Sequence, residues 1–163
     1  MNIELYHASK FGNGAMVAEE FKRIMTGKDV TVNVHHIKNA SPKEIPPADL
    51  YIFSSPGRMG KPIKGMRKFL TKLQLPSGSR YAILATEMNP LANKKTESMP
   101  KEEELGRCQR VIPIMNEMLQ AKGLKKVADY KIYVTGIKGP LEEGWQEKVE
   151  EFASVITSSF STS

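Results

Sequence analysis

The sequence predicts an α/β fold, a doubly wound five-stranded parallel sheet with helices on both faces. Three observations carry this prediction. Strand-like and helix-like patterns alternate five times along the chain, and only the second crossover is weakly helical. The strand patterns at 49–55 and 81–86 have unbroken apolar centres, as strands covered on both faces do. No repeat or compositional break divides the 163 residues, so residues 1–163 are expected to form one domain.

The first half of the chain contains three predicted strands. Alternating or β-branched residues mark the strands, apolar residues at helical spacing mark the helix, and Gly or Pro ends each element. The predicted elements are a strand at 3–8, a helix from near Ala15 to Gly27, a strand at 30–37, a proline-containing loop at 39–47 and a strand at 49–55 stopped by Pro56-Gly57.

The second half adds an amphipathic helix with a row of lysines opposite its apolar face. The segment 87–106 is polar and longer than ordinary connections, so part of it is expected to be a mobile excursion. The predicted elements are a helix at 62–73, a strand at 81–86, a helix from Val111 closed by Gly123, a strand at 129–137, a helix from Trp145 through Ile156 and a frayed tail at 157–163.

The turn after the first strand is the most informative stretch. Its glycines and asparagine allow tight or positive-φ backbone, so several amides can point into one concavity at the helix start, where a phosphate binds well. The spacing matches neither the dinucleotide pattern nor the nucleotide phosphate loop. A monophosphate cradle and an ordinary glycine-containing turn both fit the residues, which are Ser9, Lys10, Phe11, Gly12, Asn13 and Gly14.

Two further segments are expected to converge with this turn, because ligands of such sheets bind beyond the carboxyl ends of the strands. The second segment has glycines that let its backbone lie close against a flat ligand. The third offers hydrogen-bonding groups and a soft methionine surface. The candidate residues are Pro56, Gly57, Arg58, Met59 and Gly60 in the second segment and Thr86, Glu87, Met88 and Asn89 in the third, which extends to Asn93.

Composition narrows the classes of function. The net charge of +6 favours an acidic partner or a phosphorylated ligand. The single cysteine, Cys108, excludes an intramolecular disulfide and an all-cysteine metal or iron–sulfur site. No apolar run reaches membrane-spanning length and no leader pattern precedes the first strand, so a cytoplasmic protein without membrane insertion is expected. Nucleic acid is not an expected partner.

Other residues of types that often bind metals or act in catalysis are expected to have structural roles here. The three histidines have no carboxylate or cysteine at ligand spacing, so structural roles are expected and no metal site or catalytic residue is assigned. Cys108 is expected to be a small helix hydrophobe rather than a reactive thiol. A phosphoacceptor pocket of the response-regulator type is discounted, because the first and third strands end in Ser9 and Ser54-Ser55 instead of carboxylates.

The motifs resemble those of a known family. The opening Y-H-A-S-K-F-G-N-G-A resembles the FMN phosphate loop of flavodoxins. The stretch S-P-G-R-M-G-K-P-I-K-G-M-R-K-F-L resembles the second flavin loop and following helix of flavodoxin-like NAD(P)H:quinone oxidoreductases. The resemblance implies a flavodoxin-like fold with strand order 2-1-3-4-5 and bound FMN, with its phosphate on residues 9–14 and its isoalloxazine ring between the second and third segments.

The chain departs from the family pattern at two positions of the phosphate loop. Flavodoxins usually carry hydroxyl residues at the positions of Phe11 and Gly14, and here only Ser9 remains. Backbone amides, Lys10 and Asn13 would have to compensate. An aromatic residue usually stacks on the flavin, whereas this chain offers Met59 and Met88.

The resemblance leads to one functional hypothesis and leaves two alternatives open. The first is an FMN-binding carrier that passes electrons between redox partner proteins, which the basic charge predicts to be acidic. The second is an FMN-dependent reductase that uses NAD(P)H and a quinone or similar acceptor, with a homodimer as one arrangement. The third is a degenerate relative without flavin that acts as an interaction module through its basic surface.

Overall fold

The structure, a computed structural model, describes residues 1–90 and 95–161. In these ranges a parallel sheet of five strands has the order β2-β1-β3-β5-β6, and a two-residue strand, β4, pairs antiparallel with β3. The predicted order 2-1-3-4-5 is confirmed, because β4 only shifts the numbering of the last two strands. The strands are β1 (Asn2–His7), β2 (Thr31–His36), β3 (Leu50–Arg58), β4 (Lys61–Pro62), β5 (Arg80–Met88) and β6 (Lys125–Val134).

Helices cover both faces of this sheet, as predicted. Successive side chains of a strand point to opposite faces, so β1 contributes to two separate cores. Ile3 and Leu5 pack with α1 and α5, whereas Tyr6 packs with α2 and α4 on the other face. The helices are α1 (Asn13–Thr26), α2 (Lys64–Lys72), α3 (Glu102–Cys108), α4 (Val111–Gln120) and α5 (Trp145–Ser161).

The crossover between β2 and β3 contains no α-helix. A single 3-10 turn at Ile37–Asn39 is followed by irregular chain up to β3. Three prolines lie in this stretch, and each removes a backbone donor that a helix would need. The Tyr51 hydroxyl fixes the end of the crossover by accepting from the Ala48 amide at 2.9 Å and donating to the Pro46 carbonyl at 3.2 Å.

Several predicted boundaries are wrong. The third strand does not stop at Pro56-Gly57 but continues to Arg58, because Gly57 and Arg58 pair with β4. The strand predicted at 129–137 lies at Lys125–Val134. The tail predicted to fray from Thr157 is helical to Ser161, while residues 162 and 163 lie outside the described ranges.

The excursion predicted at 87–106 is partly regular. Glu87 and Met88 still belong to β5, and α3 begins at Glu102. Residues 91–94, which include the Asn93 end of the third segment, lie outside the described residues. Across residues 1–90 and 95–161, no helix is long and apolar enough to cross a membrane.

Candidate functional site

The glycine-rich turn after β1 forms an open loop at the start of α1. Gly12 occupies the position before the helix with φ 95° and ψ −11°, and a Cβ there would meet open space. The Ser9 Oγ accepts from the Gly12 amide at 3.0 Å. No side chain caps α1, and the first-turn amides of residues 13, 14 and 15 find no acceptor among the described residues. These donors are therefore free to bind an anion.

Two histidines form hydrogen bonds with the backbone of Ser9. The Ser9 amide donates to Nδ1 of His7 at 3.3 Å, and Nε2 of His36 lies 2.8 Å from the Ser9 carbonyl oxygen. Nδ1 of His36 accepts from the Lys38 amide at 3.1 Å, so Nε2 carries the proton that is donated to Ser9. Nδ1 of each ring accepts from a backbone amide, so both histidines fix the backbone of this loop and of the turn that follows β2.

Burial, together with the neighbouring His36, lowers the pKa of His7 to about 4. The two rings meet edge to face with centroids 4.9 Å apart. Across the described ranges, no three His, Cys, Asp or Glu side chains lie close enough to hold a metal ion.

The connection between β6 and α5 forms the other side of the loop. The Asn13 side chain lies against the Gly139 backbone, where a Cβ would come within 2.6 Å of Asn13 Oδ1. Nζ of Lys10 and Nζ of Lys138 lie 5.5 and 5.9 Å from the centroid of the Phe11 ring, which is 46% exposed. Two cations thus flank the open loop, and no acidic residue occupies the first turn of α1.

The second predicted segment is a tight β-hairpin. Arg58 pairs with Lys61, and both residues of the turn have positive φ, 53° at Met59 and 78° at Gly60. These values suit the turns that match the twist of paired strands. The Gly60 carbonyl accepts from the Arg110 amide at 2.7 Å, and a Cβ on Gly60 would overlap the Cys108 carbonyl oxygen. The hairpin is therefore locked against the junction between α3 and α4.

A cavity of about 380 Å³ lies between this hairpin, the end of β5 and α3. We call it the β3–α3 cavity. Its lining is mainly apolar. Met59, one of the lining residues, is 95% exposed, so the cavity is open to solvent at this residue. The lining residues are Gly57, Met59, Gly60, Glu87, Met88, Asn89, Pro90, Pro100, Glu104, Leu105, Cys108 and Gln109.

Glu87 is the buried carboxyl group of this cavity wall. It is 3% exposed, and its Oε1 accepts from the Val111 amide at the start of α4 at 3.2 Å. Nζ of Lys131 lies 3.7 Å from Oε2, in ion-pair range but beyond hydrogen-bond length. Burial raises the pKa of Glu87, and Lys131 and the Val111 amide oppose that rise.

The predicted site residues fall into two groups. Gly57, Met59, Gly60, Glu87, Met88 and Asn89 line the β3–α3 cavity. Residues 9–14 form the separate open loop, and none of them lines the cavity. Pro56, Thr86 and Arg58 also do not line it: Pro56 and Thr86 lie within the paired strands, and Arg58 is exposed. The second and third segments, predicted as loops, therefore begin as strand.

Several residues of the site were not predicted. Lys138 and Gly139 reach the loop from the far end of β6, and Leu105, Cys108, Gln109 and Pro100 close the cavity from the α3 side. Lys131 reaches Glu87 across the β5–β6 pair. The only sequence signal for the first group was the break at Gly139-Pro140, because contacts between distant segments leave no local pattern.

The arrangement defines a class of protein, an α/β domain of flavodoxin fold. Oxidised flavodoxin 2 from Bacillus cereus is similar, with a TM-score of 0.72, 20% identity and coverage of 97% of this chain and 99% of that one. A flavodoxin from the domain Archaea has a TM-score of 0.69 and 16% identity over 98% of this chain and 99% of its own. Rubredoxin oxygen:oxidoreductase from Desulfovibrio gigas has a TM-score of 0.68 and 14% identity over 99% of this chain and 36% of its own.

These likenesses show the fold, and they bear out the flavodoxin-like architecture expected from the sequence motifs. No protein-family model matches the sequence, and no curated protein matches it either.

Proposed function

We propose that this chain is an FMN-binding electron-transfer protein of flavodoxin type. One observation carries the proposal: the turn at residues 9–14 presents free helix-start amides and a serine hydroxyl at the end of β1, with lysines on both sides. A phosphate group needs such a set of donors and cations. The flavodoxin fold supports FMN as the phosphorylated ligand.

The residues present fit a monophosphate. Ser9 Oγ accepts from Gly12, so its own proton is free to be donated to a phosphate oxygen. Gly14 is buried, and a Cβ there would lie 3.3 Å from the Ser9 Cβ, so a hydroxyl residue at this position would crowd Ser9. Lys10 and Lys138 supply charge that replaces the missing hydroxyls.

The β3–α3 cavity would hold the flavin ring. Its apolar lining suits a flat ring, and Met59 and Met88 offer polarizable surfaces in place of an aromatic residue. When bound, FMN supplies the chemistry of electron transfer. The chain's own residues would bind the phosphate and line the pocket of the ring, and the exposed Met59 would leave one side of the cavity open to a partner.

The first test is a visible-absorbance titration of the purified protein with FMN, with FAD and riboflavin as controls. We expect saturable binding of FMN, weaker binding of riboflavin because it lacks the phosphate, and no binding of FAD at the same concentrations. Absence of FMN binding at micromolar concentration would contradict the proposal. It would favour the flavin-free interaction module that the sequence left open.

The lysine pair gives a second prediction. The double variant Lys10→Ala with Lys138→Ala is expected to weaken FMN binding about a hundredfold, since each of the two charged contacts contributes roughly 1.5 kcal/mol, or about a factor of ten. Riboflavin affinity should not change. The exposed lysines Lys28 and Lys43 give a control double alanine variant with the same net charge. Equal loss in both double variants would show that only overall charge matters.

The basic charge also supports acidic redox partners. Arg58 and Lys61 flank the turn at Met59 and Gly60, and the next element, α2, contributes Lys64, Lys68 and Lys72 and contains no acidic residue. Opposite charge would steer an acidic protein to the open side of the cavity. The expected cytoplasmic location stays part of this proposal.

A reductase that uses NAD(P)H and a quinone is the second candidate, favoured by α3 closing one side of the cavity as a substrate site would need. The FMN-loaded protein alone distinguishes the two. A carrier should oxidise almost no NAD(P)H without a separate reductase, whereas a reductase should turn over with a quinone.

A further inference from the structure

Glu87 is surrounded on every side by the elements that meet at the β3–α3 cavity. From β3, a Cβ on Gly57 would lie 3.1 Å from Glu87 Cγ, so the carboxyl side chain lies directly against the bare backbone of the hairpin. The start of α4 supplies the Val111 amide to Oε1. Oε2 is buried and has no hydrogen-bond partner among the residues that the structure describes. A buried carboxylate oxygen without a donor is costly, so this one demands an explanation.

The charged and titratable neighbours are few. Lys131 faces Oε2 from β6, but its Nζ donates to Gln109 Oε1 at 2.8 Å instead. Tyr133, also on β6, lies 3.4 Å from the same Gln109 oxygen. Glu104 of α3 lines the cavity and is exposed. Because Lys131 donates its hydrogen bond to Gln109, it stabilises the negative charge of ionised Glu87 only in part.

We infer that the Glu87 carboxylate takes up a proton when a ring in the β3–α3 cavity gains electrons. This inference rests on the proposed binding of FMN. The electron donor is a redox partner protein, or dithionite in the test. Two electrons and one proton go to the ring, which leaves it with one added negative charge. One proton from solvent goes to Glu87, where –COO⁻ becomes –COOH.

The physical reason is electrostatic. A negative charge added beside a buried carboxylate disfavours the ionised form, and the proton removes one of the two like charges. Burial raises the pKa of Glu87, so the added negative charge acts in the same direction as burial.

The test compares the midpoint potential of FMN-loaded wild type and Glu87→Gln as a function of pH. For a two-electron couple, each proton taken up contributes about 30 mV per pH unit, the potential equivalent of a tenfold change. We expect the wild-type slope to exceed that of Glu87→Gln by up to this amount within the window where Glu87 titrates. The glutamine keeps an oxygen for the Val111 amide, so a purely structural role of Glu87 would leave the slope unchanged.

Two controls sharpen the result. Glu104→Gln removes a carboxylate from the same cavity, but an exposed one, and is expected to shift the potential without changing its pH slope. The infrared difference spectrum between reduced and oxidised wild type should contain the carbonyl stretch of a protonated carboxylic acid, which Glu87→Gln lacks. Equal slopes in wild type and Glu87→Gln, with normal FMN binding, would overturn this inference alone. Failure of both proteins to bind FMN would overturn the proposed function and this inference with it.

Discussion

Replacing Gly60 with alanine is expected to lower the free energy of unfolding by about 3 kcal/mol or more. Two effects add at this position. The residue has φ 78°, a conformation that strains any residue with a Cβ. The new methyl group would also overlap the Cys108 carbonyl oxygen, and a backbone atom cannot rotate away as a flexible side chain can. The hairpin and the α3–α4 junction would have to separate.

Gly78→Ala is the matched control, because Gly78 has φ 87° and a Cβ there meets nothing within 4 Å. That variant experiences only the backbone strain, about 1–2 kcal/mol. Urea unfolding of the wild type and both variants measures the difference. Similar midpoints for the two variants would mean that the contact with Cys108 does not hold the hairpin. A selective loss in Gly60→Ala should be accompanied by weaker FMN binding, since Gly60 lines the cavity.

Acidification from pH 7 to pH 4 is expected to remove about 3 kcal/mol of stability through His7 alone. The pKa of this histidine falls from 6.5 in the unfolded chain to about 4 in the folded protein, mainly because the ring is buried and secondarily because His36 lies beside it. Between these two values the unfolded chain binds the proton and the folded protein does not. Stability therefore rises with pH through this window and is fully present above pH 6.5.

The measurement is urea unfolding between pH 4 and pH 7 for the wild type and His7→Asn, whose side-chain oxygen can still accept from the Ser9 amide. Other titrating groups are present in both proteins, so their contributions cancel in the difference. Glu87 is one of them, and its raised pKa acts with the opposite sign. The stability advantage of the wild type should shrink as pH falls. A constant difference across the range would assign the pH dependence to other groups.

The fold was predictable because its signals are local. The apolar runs that became β3 and β5, the alternation in β2 and the apolar faces of α1, α2, α4 and α5 are each readable within one segment. The errors arose where a distant partner decides the outcome. Pro56-Gly57 is a typical strand ending, yet β3 continues because β4 and Thr86 of β5 pair with it.

The site was predictable to a lesser degree. The loop at residues 9–14 combines a strand end, glycines and a helix start, so its open geometry follows from its own residues. The cavity depends on how Gly60 meets Cys108, and the charge beside the loop depends on Lys138, which lies more than a hundred residues along the chain from Phe11. Such contacts are set by the topology of the whole sheet.

The missing helix between β2 and β3 bears on the solubility of the chain. Where that helix would cover the sheet, β1 and β2 carry polar groups instead: the Glu4 carboxylate accepts from Asn33 at 2.9 Å and pairs with His35, whose ring stacks on Tyr6. A sheet edge with an apolar face would invite strands of other molecules to add to it. Asn33 and His35 belong to the edge strand β2, and both bind the Glu4 carboxylate of the neighbouring strand β1. These polar side chains are expected to make the addition of a foreign strand less favourable at the edge that no helix of this crossover covers.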